Sequence, residues 1–266
     1  MEPIYTPSDV NPAYQLNWGL TIFWRQQPIP DCEWLTQLQT ATEPDGVRIL
    51  KHRTLRDDAT QFFISTRPHV SPSQLIRSVK GRLQYVVRSQ QPKAFQRNYA
   101  VRSVGSATRS VVEEYVVKQT NHHPMGDSRV QELLQRYQKT FPDVDLSQPV
   151  SSAHGRYWYN LHLVLVNDHR WMEIRPQVLD SLSEMIERVA TKYGHRLSRV
   201  GLLADHFHLT LGCSVEQSPE EIALKYLNNC AYAIGMKPVF QFGYYAGTIG
   251  EYDRGAVSCQ TWHPLA

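Results

Sequence analysis

The chain has 266 residues, 41% of them hydrophobic and 20% charged, which excludes a disordered or collagen-like polypeptide and leaves room for two domains of about 110–130 residues each. No apolar run approaches the ~18 residues of a membrane span, the start Met1-Glu2-Pro3-Ile4-Tyr5 has no basic or apolar leader region, and a net charge of +3 is too mild to name a partner. The four cysteines (Cys32, Cys213, Cys230, Cys259) have no Cys-x-x-Cys spacing, so a zinc ribbon or a disulfide framework is not expected and a reducing, cytoplasmic location is.

Hydrophobic periodicity predicts, in chain order, a strand over 16–24, a helix over 32–40 and a strand over 61–66. Ser71-Pro72 then starts a helix, with serine as N-cap and proline in the first turn. A strand and a glycine turn at Gly105 follow, then a helix over about 107–121. Residues 124–155 hold a short helical stretch (130–139), Pro142, Pro149 and several serines, a linker-like composition. The order then repeats. A strand over 157–166 alternates Leu161, Leu163 and Leu165, and a helix over 174–193 carries the stripe Val178, Leu182, Met185, Ile186, Val189. A strand over 206–213, a helix from Ser218-Pro219 and a strand ending at the Gly250 turn complete the second copy.

The two copies align residue by residue. The stretch 55–64 matches 202–211 at a displacement of 147, and Ser71-Pro72 falls on Ser218-Pro219 without a gap. Residues 98–105 match 243–250 at a displacement of 145. The expected fold is α+β: two tandem antiparallel sheet domains with packed helices, over 13–124 and 157–266, joined by a linker over 125–156.

Charge is distributed unevenly between the copies. From Arg67 to Val112 stand nine basic residues (Arg67, Arg77, Lys80, Arg82, Arg88, Lys93, Arg97, Arg102, Arg109) and no acid, interleaved with Tyr85, Phe95 and Tyr99. Basic groups neutralise phosphates and rings stack on bases, so this mixture suits a nucleic-acid surface. The aligned segment 214–255 has three basic and five acidic residues, which places the expected DNA contacts on the first copy.

Two constellations carry chemistry. In Asp205-His206-Phe207-His208, a strand points both imidazoles to one face, where they can hold one divalent cation. In Glu113-Glu114-Tyr115-Val116-Val117-Lys118-Gln119, a helix stacks Gln119 on Tyr115. A phenol is a competent nucleophile beside a metal, and an amide oxygen is a hard ligand suited to Mg²⁺ or Mn²⁺. His69, His122, His123, His162 and His195 have no spacing that demands a role, and the tryptophans, Trp171 among them, are expected to pack sheets.

These motifs in this order resemble the single-tyrosine HUH transposases of bacterial insertion sequences and their REP-associated relatives. The resemblance spans residues 14–123 and 157–260. It implies ferredoxin-like HUH domains, a metal ion held by His206, His208 and Gln119, and Tyr115 attacking single-stranded DNA beside a hairpin to give a 5′-phosphotyrosine and a free 3′-OH. It also implies homodimers in which one subunit's histidines meet the other's tyrosine helix.

The sequence departs from that pattern. The first copy has Ala59-Thr60-Gln61 where the histidines belong, and the second has Ala256 four residues before Gln260, where the tyrosine belongs. Each copy keeps what the other lacks, so the expectation is an intrachain pseudo-dimer with one composite site (Tyr115, Gln119, His206, His208), a dead site at Ala59, Gln61 and Gln260, and further pairing of chains left open. Tyr252 is the alternative nucleophile. DNA is expected on Arg67, Arg77, Lys80, Arg82, Arg88, Lys93, Arg97 and Arg102, with nucleoid association as the consequence. Two rival readings remain: a domesticated hairpin-binding protein with weak catalysis, and a two-histidine RNA phosphoesterase using His52-Arg53-Thr54-Leu55 and His208-Leu209-Thr210-Leu211.

Overall fold

The computed structural model describes residues 2–56, 58–235 and 237–251. Its elements are β1 (Ala13–Gln15), β2 (Asn17–Trp24), α1 (Leu35–Thr42), β3 (Val47–Arg56), β4 (Ala59–Thr66), α2 (Pro72–Val87), β5 (Phe95–Val104), α3 (Arg109–Val117), α4 (Gln119–His122), α5 (Ser128–Gln135), β6 (Gln138–Thr140), β7 (Val150–Ser152), β8 (Gly155–Trp158), β9 (Asn160–Val166), α6 (Pro176–Tyr193), β10 (Arg196–Leu202), β11 (His206–Gly212), α7 (Pro219–Ala233) and β12 (Tyr245–Ile249). Each half is a β-α-β-β-α-β unit: β2-α1-β3-β4-α2-β5, then β9-α6-β10-β11-α7-β12. The strands β3 and β10 are additions to the elements expected from the sequence.

Two six-stranded sheets result, with orders β7-β8-β5-β2-β4-β3 and β1-β12-β9-β11-β10-β6. Alternation sets the layers. Phe207, Leu209 and Leu211 of β11 are buried in register with Leu165, Leu163 and Leu161 of β9, on the face covered by α6 and α7. Phe62 and Ile64 of β4 are buried likewise under α1 and α2. Both second helices begin with the capping box expected at Ser-Pro: Ser71 with Gln74, and Ser218 with Glu221.

The halves exchange strands. β1, which leads into β2, pairs in parallel with β12, and β8, which leads into β9, pairs in parallel with β5. The segment read as a linker is structured: β6 extends the second sheet along β10, and β7 extends the first along β8. At the junction the hydrogen bonds are reciprocal. Asn17 N donates to Thr248 Oγ1 at 2.9 Å, and Asn160 N to Ser103 Oγ at 3.1 Å. Thr248 Oγ1 in turn donates to Val104 O, and Ser103 Oγ to Ile249 O. The chains approach closely enough that a Cβ on Gly105 would lie 2.9 Å from Thr248 O, and one on Gly250 would lie 2.2 Å from Ser103 O. The two turn glycines are therefore required by the pseudo-dyad itself.

Candidate active site

Helix α3 belongs to the first half but packs on β10 and β11 of the second. Its N-terminus is fixed where Arg109 N donates to Gly250 O at 2.7 Å and the Arg109 guanidinium bridges Glu113 and Glu251. The buried Glu113 carboxylate accepts from Ser198 Oγ of β10, which also meets Thr210 Oγ1 of β11 at 2.7 Å. A bare Cα at Gly201 lets the helix settle, since a Cβ there would lie 2.4 Å from Val116 O and 3.2 Å from Gln119 Cγ. Gly201 is the register partner of His208.

The expected single helix over 107–121 is instead two. It breaks at Lys118 (φ −100°, ψ 16°), whose N–H is shared between Glu114 O and Tyr115 O. Gln119 still stacks on the tyrosine, because its Nε2 donates to Tyr115 O at 3.1 Å.

The fold brings the four singled-out residues together. The Tyr115 ring stands edge-on to His208, centroids 5.8 Å apart at 85°. His206 and His208 share one face with centroids 4.9 Å apart. His206 Nδ1 is held by Asp205 Oδ1 at 2.6 Å, so its Nε2 carries the available lone pair. His208 Nδ1 meets His162 Nε2 at 2.9 Å, and its buried Nε2 has no hydrogen-bond partner. The Gln119 Oε1 is likewise buried without a partner. Gln138 Oε1 is a third such atom, on the strand position in register with Gly201.

The electrostatics favour neutral imidazoles. Burial pushes His208 well below the ordinary histidine range, and the neighbouring His162, His206 and His123 push it the same way. Burial lowers His162 to about 4. His206 is lowered by burial, with the Asp205 carboxylate opposing. Burial raises Asp205, but its bonds to His206 and Arg170 outweigh that and hold it below the usual carboxylate range. Neutral imidazoles are the form that ligates a cation. Among the described residues no three His, Cys, Asp or Glu side chains are grouped so as to hold a metal ion. The unpartnered His208 Nε2 and Gln119 Oε1 fit a divalent ion: each is a desolvated acceptor that a ligand would satisfy.

Three further residues of the site have no sequence signal beyond being histidine. His162 backs His208, His122 lies 5.2 Å from the Tyr115 ring, and His123 lies 5.3 Å from His206. The last two follow Gln119 by three and four positions, so the helical count that pairs Tyr115 with Gln119 could have placed them on the same side.

The corresponding face of the first sheet differs. Ala59 and Gln61 pair with Phe23 and Thr21 as His206 and His208 pair with Val166 and Val164, so they occupy the equivalent places. Arg53 of β3 stands opposite Gln61 where Gly201 stands opposite His208. Where β10 has a bare Cα for the helix to settle against, β3 carries an arginine. Tyr252, Ala256 and Gln260 lie outside the described residues. His52 pairs with Asp31 at 2.7 Å and packs on Trp34, on the other face of the first sheet, so the two His-x-Thr strings do not meet.

The basic run divides in two. Lys80 is half-buried and donates to Gln96, Arg97 and Asn98 carbonyls, Arg82 pairs with Asp45 at 3.0 Å, and Arg102 lies 4.8 Å over the Trp158 ring. Arg67, Arg77, Arg88, Lys93 and Arg97 are exposed, with Arg88 4.1 Å over the exposed Tyr85.

Two β-α-β-β-α-β units that share strands about a dyad, with a histidine-bearing central strand in one and a tyrosine helix delivered by the other, define a tandem sheet protein with a composite site. The family described as "Transposase IS200 like" matches residues 33–119 and 156–258, more than half of the sequence, and the chain belongs to that family. Among solved structures it is similar to a presumed transposase from Deinococcus radiodurans R1 (16% identity, 40% of this chain and 92% of that one, TM-score 0.32). It is also similar to the regulatory subunit of aspartate kinase from Thermus thermophilus (6% identity, 80% and 92%, TM-score 0.18). No curated protein matches the sequence. Among the described residues no helix is long and apolar enough to cross a membrane.

Proposed function

We propose that this transposase-family chain cuts single-stranded DNA at one site per chain, with Tyr115 as nucleophile. The observation that carries the reading is the meeting, across the two halves, of the Tyr115 ring with His208 at 5.8 Å, beside two buried acceptors without partners. His206 Nε2, His208 Nε2 and Gln119 Oε1 would hold Mg²⁺ or Mn²⁺. When bound, that ion supplies Lewis-acid polarisation of the scissile phosphate.

The chain's own residues do the rest. The Tyr115 phenol oxygen forms a bond to phosphorus as the P–O3′ bond breaks. The phenol gives up its proton, and the 3′-oxygen leaves and is protonated to a free 3′-OH, with the 5′-phosphate on tyrosine. Glu113, Ser198 and Gly201 hold α3 so that the phenol faces the imidazoles. The exposed Arg67, Arg77, Arg88, Lys93 and Arg97 supply phosphate contacts for a folded DNA element such as a hairpin. Those contacts make binding fall steeply with salt.

Incubation with single-stranded oligonucleotides and Mn²⁺ tests the reading. A covalent protein–DNA adduct is expected in the unmodified chain, mapped to Tyr115, absent in Tyr115→Phe and His208→Ala. Tyr115→Phe should still bind Mn²⁺. An adduct that survives Tyr115→Phe contradicts the assignment.

A further inference from the structure

The loop between β9 and α6 does not behave as a simple connection. His169 (φ 47°) and Arg170 (φ 52°) are consecutive non-glycine residues in the left-handed region, and no other non-glycine described residue has a positive φ. Such backbone is held only where its surroundings over-determine it. Here they do. Asn167 Nδ2 donates to Trp171 O and Ala204 O, Glu173 N donates to Ala204 O at 2.7 Å, and Asp168 N donates to Val239 O. The Glu173 carboxylate is buried and paired with Arg175.

The rigid loop holds apolar side chains out to solvent. Trp171 is 38% exposed, Met172 49% and Ile174 43%, three of four consecutive positions, while Glu173 between them is 2% exposed. Trp171 is the one tryptophan among the described residues that stands out as exposed; Trp18, Trp24 and Trp34 are fully buried. The platform adjoins the candidate site. Val166, one residue before the loop's Asn167, is the register partner of His206. Arg170 Nη1 lies 3.0 Å from Asp205 Oδ2, and Asp205 Oδ1 holds His206.

The local charge decides what kind of ligand fits. Arg170 pairs with Asp205, and Arg175 pairs with Glu173 with its guanidinium 5.8 Å over the Trp171 ring, so the loop's charges balance and leave little net attraction for a phosphate. What it offers is an indole and two aliphatic surfaces. A single strand lying with one phosphate at His206 has unpaired bases, flat and apolar, within reach of such a surface.

We infer that the 168–175 loop is a base-stacking subsite, with Trp171 the ring on which a nucleotide next to the scissile phosphate stacks. This rests on the proposed single-stranded DNA function and adds a nucleobase contact to it. The rigidity of the loop lowers the ordering cost of that contact. A protein partner would also find an apolar surface here, but would not discriminate between bases and abasic sugars.

The test compares a short oligothymidine strand with an abasic strand of the same length, on the full chain. Oligothymidine should quench tryptophan emission and the abasic strand should not. Trp171→Ala should weaken oligothymidine binding by about 5- to 150-fold, the range for one stacked base, and bring it to the level of the abasic strand. Trp171→Phe should keep most of the affinity and lose the quench. The salt slope and Mn²⁺ affinity should not change in either variant, because phosphate contacts and the imidazole site are untouched. Equal oligothymidine affinity in Trp171→Ala and the unmodified chain, or an equal loss on the abasic strand, overturns the subsite while leaving the tyrosine chemistry standing. If the unmodified chain forms no covalent adduct on single-stranded DNA with Mn²⁺, the function reading itself fails.

Discussion

His208 shows how much of the candidate site depends on one hydrogen bond. Its Nε2 can ligate the proposed cation only if Nδ1 carries the proton, and with His162 Nε2 as acceptor the 2.9 Å contact to Nδ1 would hold that tautomer. His162→Ala is therefore expected to weaken Mn²⁺ binding about 10- to 100-fold with α3 still docked; titration calorimetry reads this, and unchanged affinity would deny His162 its positioning role. The buried imidazoles also make a stability prediction. His162 and His195 are each lowered to about 4, by burial first, and for His195 by Lys225 as well. In the unfolded chain they titrate near ~6.5. Between those values the unfolded state binds more protons, so stability is complete above about pH 6.5 and falls as pH drops toward about 4. The melting temperature should fall across that window. His195→Gln, away from the candidate site and bonded to Tyr226 and Gln217, should make the fall shallower.

At the level of elements, the docking of α3 is the step that makes the site. Gly201→Ala places a Cβ against the Val116 carbonyl, a backbone atom that cannot swing aside. The expected cost is about 1–3 kcal/mol, by overpacking, with adduct formation reduced more than fold stability because the helix bearing Tyr115 is displaced. Gly81→Ala is the matched control. It sits exposed in α2 with nothing within 4 Å of the added atom, and should stabilise by up to ~1 kcal/mol without touching activity. Equal activity in both variants would deny that the close approach at Gly201 matters.

Some elements were readable in the sequence because their signals are local. The Ser-Pro caps, the Leu161-Leu163-Leu165 alternation and the stripe on α6 are statements about neighbours in the chain. The strands β3 and β10 were missed because their apolar positions are spread thinly: β10 buries Leu197, Val200 and Leu202 around a bulge between Leu197 and Arg199 that breaks the period. The break in the tyrosine helix was also hidden. It falls at Lys118, in a turn of chain with no glycine or proline to mark it.

The whole molecule is organised by reciprocity, and that was only half visible. The complementary losses at Ala59-Gln61 and Ala256 point to a composite site; α3 docks on β10 and β11, and the Tyr115 ring stands 5.8 Å from that of His208. The strand exchange by β1 and β8 was invisible, since three or four residues carry no usable periodicity and their partners lie in the other half. His162 and Trp171 have no local signal either: His162 meets Tyr115 only across the halves, and Trp171 is placed by a loop tied to Ala204 and Val239, far from it in sequence. The dyad predicts that Gly105→Ala and Gly250→Ala should each lower thermal stability, since both place a Cβ against backbone at the shared junction. Calorimetry that found either substitution neutral would mean the junction can open without cost.

The central claim is that one chain assembles one site from both of its halves. Mixing Tyr115→Phe chains with His208→Ala chains tests it, after co-unfolding and refolding, with the covalent DNA adduct as readout and the unmodified chain as positive control. Each variant lacks a different part of the same intrachain site, so the account predicts no adduct in the mixture. Recovery of adduct would show that the phenol of one chain works with the imidazoles of another, and would contradict the single-chain site.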